Sequence, residues 1–85
     1  LTDQVRRASR LVCANIAEGW RKRRYEGSFV SKLTDAAGEA GETQTWIQFA
    51  VRCGYLPRTR GVELHRAYDA VIRMLVAMTK KPEVW

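Results

Sequence analysis

The sequence predicts an all-α fold, and three observations carry that expectation. Apolar residues recur at helical spacing in three separate stretches, and glycine, proline and charge runs fall between those stretches. No internal repeat, low-complexity tract or glycine-rich phosphate loop interrupts the pattern. At 85 residues and 46% hydrophobic composition the chain reads as a single helical-bundle domain, 1–85, with a small core. A core of that size leaves room for a partner subunit.

The first helix is expected over about 3–18, where Val5, Ala8, Val12 and Ile16 share one stripe. Thr2 is placed as its N-cap, Asp3 suits the positive end of the dipole, and Gly19 is placed as the left-handed residue that ends it. Arg6, Arg7 and Arg10 occupy the opposite face, with Asp3 one turn from Arg7. Asn15 lies at the margin of the stripe, so with Glu18 and Gly19 it is read as the structural corner, its amide expected to find partners. Directly after the corner come Arg21, Lys22, Arg23 and Arg24, the densest positive charge in the chain.

Ser28 is placed as the cap of a second helix over about 28–53, running through Leu33, Ala36, Ala40, Ile47 and Val51. Gly38 and Gly41 each cost a helix interior about 1 kcal/mol relative to alanine, so close packing of a neighbour is expected there. Trp46, Phe49 and Cys53 project on a second apolar face, read as an oligomer or partner interface, with Asp35, Glu39 and Glu42 on the same side. Gly54 and Pro57 stop this helix, and Thr59 is placed as the cap of a third over about 60–80. Leu64, Ala67, Tyr68, Val71, Leu75 and Met78 form its apolar face, with Met74 also assigned to the core. Pro82 to Trp85 reads as a terminal tail.

A net charge of +6 and a pI near 9.9 favour a polyanionic partner, nucleic acid or an acidic membrane surface, and the leading reading is RNA or DNA bound through phosphate contacts from Arg6, Arg10, Arg21, Lys22, Arg23 and Arg24. No base-reading motif accompanies them. Cys13 and Cys53 lack metal or redox spacing and are read as small buried residues of a reducing, cytoplasmic compartment. No apolar run is long enough to cross a bilayer, and the arginines stand opposite ordinary core stripes with no Trp-rich interfacial face free, so no membrane role is expected. His65 stands alone, without a second ligand or a nucleophile to serve. No catalytic residue, metal or cofactor is therefore assigned.

The stretches Leu1-Thr2-Asp3-Gln4-Val5-Arg6-Arg7-Ala8 and Asn15-Ile16-Ala17-Glu18-Gly19 resemble the 23S rRNA intervening-sequence proteins. So do Phe29 with Leu33, Ala36, Gly38 and Glu42, and Thr45 with Ile47, Ala50 and Gly54-Tyr55-Leu56. That family of four-helix bundles includes the accessory variability determinants of diversity-generating retroelements. The resemblance implies an antiparallel up-and-down bundle assembling as a ring, often a homopentamer, with a basic surface. For the retroelement branch it implies a ring that binds nucleic acid and a reverse transcriptase, whereas the role of the intervening-sequence branch is largely unknown. An alternative within the same family is a protein–protein scaffold with no direct nucleic-acid role. Family members usually carry a further helix before the position of Leu1. Glu39 stands where the family tends to have serine, and Gln44 where it often has glutamate.

Overall fold

A computed structural model describes residues 2–85, and of Thr2 only the backbone; the expected Thr2 cap and all that concerns Leu1 lie outside the described residues. Helices α1 (Thr2–Arg21), α2 (Glu26–Arg52) and α3 (Arg58–Lys80) follow one another, and a short 3-10 turn spans Pro82–Val84. Short connections force neighbours to run antiparallel, and the pairing bears this out. Gly19 near the end of α1 meets Phe29 and Lys32 near the start of α2, whereas Gly61 near the start of α3 meets Val51 near the end of α2.

Helix α2 lies between the other two, packing against both α1 and α3. The result is a thin layer of 44 × 21 × 12 Å. Its core is built on one face of α2, where Phe29, Leu33, Ala36 and Ala40 are fully buried and Ile47 nearly so. Leu75 of α3 joins Phe29, Leu33 and Ala36 in one cluster, Ile16 of α1 packs against it, and Ala8 and Val12 of α1 are buried as well. Burying a side chain of the size of Phe29 or Leu33 contributes roughly 1.5–3 kcal/mol. The 3-10 turn also packs on α2, so the expected free tail is partly folded back, with Trp85 half exposed.

Several boundaries differ from the sequence expectation. Helix α1 continues through Gly19 to Arg21, and Gly19 has no positive φ. Its missing side chain serves close approach, since a Cβ there would stand 3.1 Å from the Cβ of Lys32. The turn falls instead at Lys22–Tyr25. Ser28 and Thr59 are not caps: α2 begins after Tyr25 and α3 after Pro57, neither with a side-chain capping bond. Gly54 does what was expected of it. At φ +78° it lets its own N–H donate to the Val51 carbonyl and the Tyr55 N–H donate to the Ala50 carbonyl, closing α2 in a Schellman pattern.

Gly38 and Gly41 meet nothing within 4 Å of where a Cβ would stand, so the close packing expected there is absent among the described residues. Cys13 and Cys53 are exposed free thiols, contrary to the buried role assigned to them. Met74 is exposed as well, because α1 and α3 flank α2 without closing over each other. Between them runs an apolar groove of about 460 Å³ lined by Val12, Cys13, Ile16, Ala67, Tyr68 and Val71. Burial in this groove, with the Cys13 thiol nearby, holds the Tyr68 phenol above its ordinary pKa.

Candidate nucleic-acid interface

Because α1 turns its apolar stripe toward α2, every third or fourth residue on the other side faces solvent. Arg6, Arg10 and Arg21 project within about 60° of one another at about 100° per residue, and all three are exposed, Arg10 at the edge of the α1–α3 groove and Arg6 beside Ile47, Tyr55 and Leu64. Arg7 is exposed beside them; Asp3 does not reach it within ion-pair distance, and it lines a pocket with Glu39 and Glu42 without pairing to either. From Arg6 to Arg21 the stripe spans on the order of 22 Å at 1.5 Å per residue.

The turn at Lys22–Tyr25 sorts the expected basic run into two groups. Lys22 Nζ lies 3.2 Å from Glu18 Oε1, and Lys32 Nζ from α2 lies 3.5 Å from Glu18 Oε2. Glu18 thus ties the end of α1 to both the turn and the next helix. The Lys22 and Lys32 ammonium groups, Lys22 chiefly through its hydrogen bond, hold its carboxyl below the usual carboxylate range. Arg23 stacks its guanidinium 4.4 Å from the Trp20 ring centroid and donates from Nη1 to the Trp20 carbonyl at 2.9 Å. Arg21 and Arg24 are exposed with no ion pair among the described residues. Of the six expected phosphate contacts, Arg6, Arg10, Arg21 and Arg24 remain unengaged, Lys22 is paired, and Arg23 is stacked.

Asn15 departs from its assigned role. It is half-buried, and its amide makes no hydrogen bond to another described residue, so the corner is braced by Glu18 and by the close approach at Gly19. Lys32 was missed in the sequence because it stands fourteen positions from Glu18, beyond any local spacing rule. The Trp20–Arg23 stack was missed as well, although its two residues stand three positions apart.

On the far side of α2, Trp46 and Phe49 place their ring centroids 5.9 Å apart at 43°. Phe49 is 47% exposed and Cys53 is exposed, whereas Trp46 is half-buried with its Nε1 donating to Glu42 Oε1 at 3.4 Å. The face expected to be free of intrachain cover is therefore largely free. A polar cluster that sequence reasoning passed over joins α2 to α3: Gln44 Nε2 donates to Asp69 Oδ1 at 2.7 Å and to the His65 carbonyl at 3.0 Å, and His65 Nδ1 lies 3.7 Å from Asp69 Oδ2. Among the described residues no three His, Cys, Asp or Glu side chains cluster to hold a metal, and no described helix is long and apolar enough to cross a membrane.

Three antiparallel helices in one layer, with a basic outer face on α1 and an apolar groove between α1 and α3, define an open helical bundle. The chain belongs to the 23S rRNA-intervening sequence protein family, which it matches over residues 1–77. Among solved structures it is similar to the 1.70 Å crystal structure of a protein with unknown function from the S23 ribosomal protein family of Bacteroides thetaiotaomicron VPI-5482. The two share 26% identity and a TM-score of 0.86, over 92% of this chain and 71% of that one. No curated protein matches the sequence.

Proposed function

We propose that the protein is a non-catalytic, cytoplasmic nucleic-acid-binding module that takes RNA or DNA by its phosphates. The observation carrying this reading is the stripe of unengaged arginines Arg6, Arg10 and Arg21 along the exposed side of α1, with Arg24 in the turn that follows. One strand carries a phosphate about every 3.4 Å in a duplex, so a stripe of this length reaches several. Lys22 and Arg23 contribute field more than contact, since each is already held. Assembly into a ring, the homopentamer that the family resemblance implies, multiplies the stripe and converts weak contacts into avidity. A reverse transcriptase is the protein partner this reading carries.

Fluorescence anisotropy with labelled single-stranded and duplex RNA and DNA tests it. Affinity falls steeply with salt, and each of Arg10→Gln, Arg21→Gln and Arg24→Gln flattens the salt slope by about 1. Binding that ignores salt, or a triple variant that binds as well as the parent, removes this reading. Native mass spectrometry with and without RNA reads the subunit number at the same time.

A second reading is favoured by the exposed Phe49 and Cys53 beside Trp46: a protein–protein scaffold without direct nucleic-acid contact. Phe49→Ala separates the uses of that face. Loss of self-assembly in light scattering assigns it to the oligomer, whereas intact assembly with loss of a protein partner assigns it to docking.

A further inference from the structure

At the opposite end of the layer from the basic turn, α2 and α3 enclose a cleft of about 390 Å³ that contains none of the arginines assigned above. Ile47, Val51, Gly61 and Val62 form an apolar floor. That floor is rigid, because a Cβ on Gly61 would collide with a Val51 methyl, so the two helices touch there with no slack. Arg52, from the last turn of α2, and Arg58, from the first turn of α3, line the same cleft with Gln48 and His65.

Charge in the cleft is unbalanced. Neither Arg52 nor Arg58 has an ion-pair partner among the described residues, and the carboxylates nearest in sequence on α3 are engaged. Glu63 Oε2 binds Arg60 Nη1 at 3.0 Å, and Asp69 accepts from Gln44 while facing His65. With its Nδ1 toward Asp69, His65 places Nε2 3.4 Å from Gln48 Nε2 at the rim. The first turn of α3 carries no acidic residue and no side-chain cap, so the helix end adds to the positive field.

Two planar guanidinium forks match the oxygens of a phosphate, and free arginines alone would accept any anion. An apolar floor alone would select no charge. Together they fit a phosphate attached to a flat, weakly polar group, and we propose that this cleft binds a nucleotide, with Arg52 and Arg58 on the phosphate and the base or ribose against the Val51–Val62 floor. The shared chemistry is a nucleoside monophosphate, either free or as the phosphorylated end of a strand. This site goes beyond the arginine stripe of α1 and does not depend on it.

Titration of the ¹⁵N-labelled full chain with adenosine monophosphate, inorganic phosphate, adenosine and a dinucleotide with or without a 5′-phosphate tests the proposal. Adenosine monophosphate shifts the amides of Gln48, Gly61 and Val62, and binds more tightly than either phosphate or adenosine. The Arg52→Gln/Arg58→Gln double variant, its spectrum otherwise intact, weakens that binding by about tenfold or more, the effect of losing at least one charged hydrogen bond. Arg21→Gln/Arg24→Gln leaves it unchanged, so failure here and failure of the α1 interface are read separately. Tighter binding of the 5′-phosphorylated dinucleotide than of the mononucleotide assigns a strand end, and equal binding a free nucleotide; either supports the site. The proposal is overturned by unshifted cleft amides at millimolar nucleotide, by phosphate binding as well as nucleotide, or by full affinity in the Arg52→Gln/Arg58→Gln variant.

Discussion

The two turns that flank α2 do the same topological task by different physics. At Lys22–Tyr25 the chain reverses without a positive-φ residue and without a capping side chain; its N–H groups donate to the Glu18, Gly19, Trp20 and Lys22 carbonyls, and charge is laid over that backbone: Glu18 joins Lys22 and Lys32, and Arg23 lies over Trp20. At Cys53–Pro57 backbone geometry does the work, with Gly54 left-handed and two carbonyls of α2 satisfied by the turn itself. Interactions between exposed charges are screened by salt, whereas a left-handed glycine is indifferent to it. The basic turn is therefore the one whose shape responds to solution conditions, and it is also the one that displays Arg21 and Arg24.

The difference extends to the packing beneath each turn. Phe29 is fully buried one turn into α2, while Val51, at the other end, is half-buried beside an open cleft. Phe29→Ala is expected to lose about 3–5 kcal/mol, an amount comparable with the whole stability of a domain this small. Urea denaturation reads it as loss of the folded baseline. A loss no larger than that of Val51→Ala would mean the core is not concentrated at the basic end.

Next in size is a pair of glycines that look alike in the sequence. A Cβ on Gly61 collides with the branched side chain of Val51, which has little room to yield, so Gly61→Ala is expected to cost about 1–3 kcal/mol. At Gly19 the nearest atom is the Lys32 Cβ at 3.1 Å, and a shift of a few tenths of an ångström is offset by a gain of about 1 kcal/mol in helix propensity. Gly19→Ala is accordingly expected to lie near neutral. Thermal melts of the two variants under one condition test the contrast, and equal shifts would abolish it.

How much of this could be read in advance follows the range of the interactions. The three helices, the stripe Val5, Ala8, Val12 and Ile16, and the stop at Gly54 are set by residues within a turn or two of one another, and each was legible. Gly19 was not. A glycine near a helix end has the same local signature whether it ends the helix or admits a neighbour, and only the approach of Lys32, thirteen residues on, decides. The same limit hid the Glu18–Lys32 pair and the Gln44–His65–Asp69 cluster. Gly38 and Gly41 failed in the opposite sense, since their cost in α2 was read as a sign of close packing and no described residue packs there. For the interface, periodicity placed Arg6 and Arg10 on an exposed side of α1, but the pairing of Lys22 with Glu18 and the stacking of Arg23 on Trp20 were not read.

A smaller effect is expected at Gly54. At φ +78° an alanine is strained by about 1–2 kcal/mol, and the loss should be the same in low and high salt because no charge takes part. A salt-dependent loss would show that charge contributes to the second turn too.

The smallest change in stability is the one most diagnostic of the first turn. Glu18 titrates below its unfolded value when folded, chiefly because of its hydrogen bond to Lys22 and the charge of Lys32. Its contribution is thus fully present above the unfolded carboxylate pKa and is lost as pH falls through the lower folded value. Glu18→Gln should therefore be less stable than the parent near neutral pH and indistinguishable from it in acid, with the gap closing across the carboxylate range and narrowing with added salt. Amide exchange at Lys32 and Leu33 localises the effect: faster exchange there in the variant, with Gly54 and Tyr55 unchanged, is the expected pattern. If the pH dependence of the variant matched that of the parent throughout, the Glu18 pairs would be bystanders, and the close approach at Gly19 with the backbone hydrogen bonds of Lys22, Arg23 and Tyr25 would hold the basic turn in place.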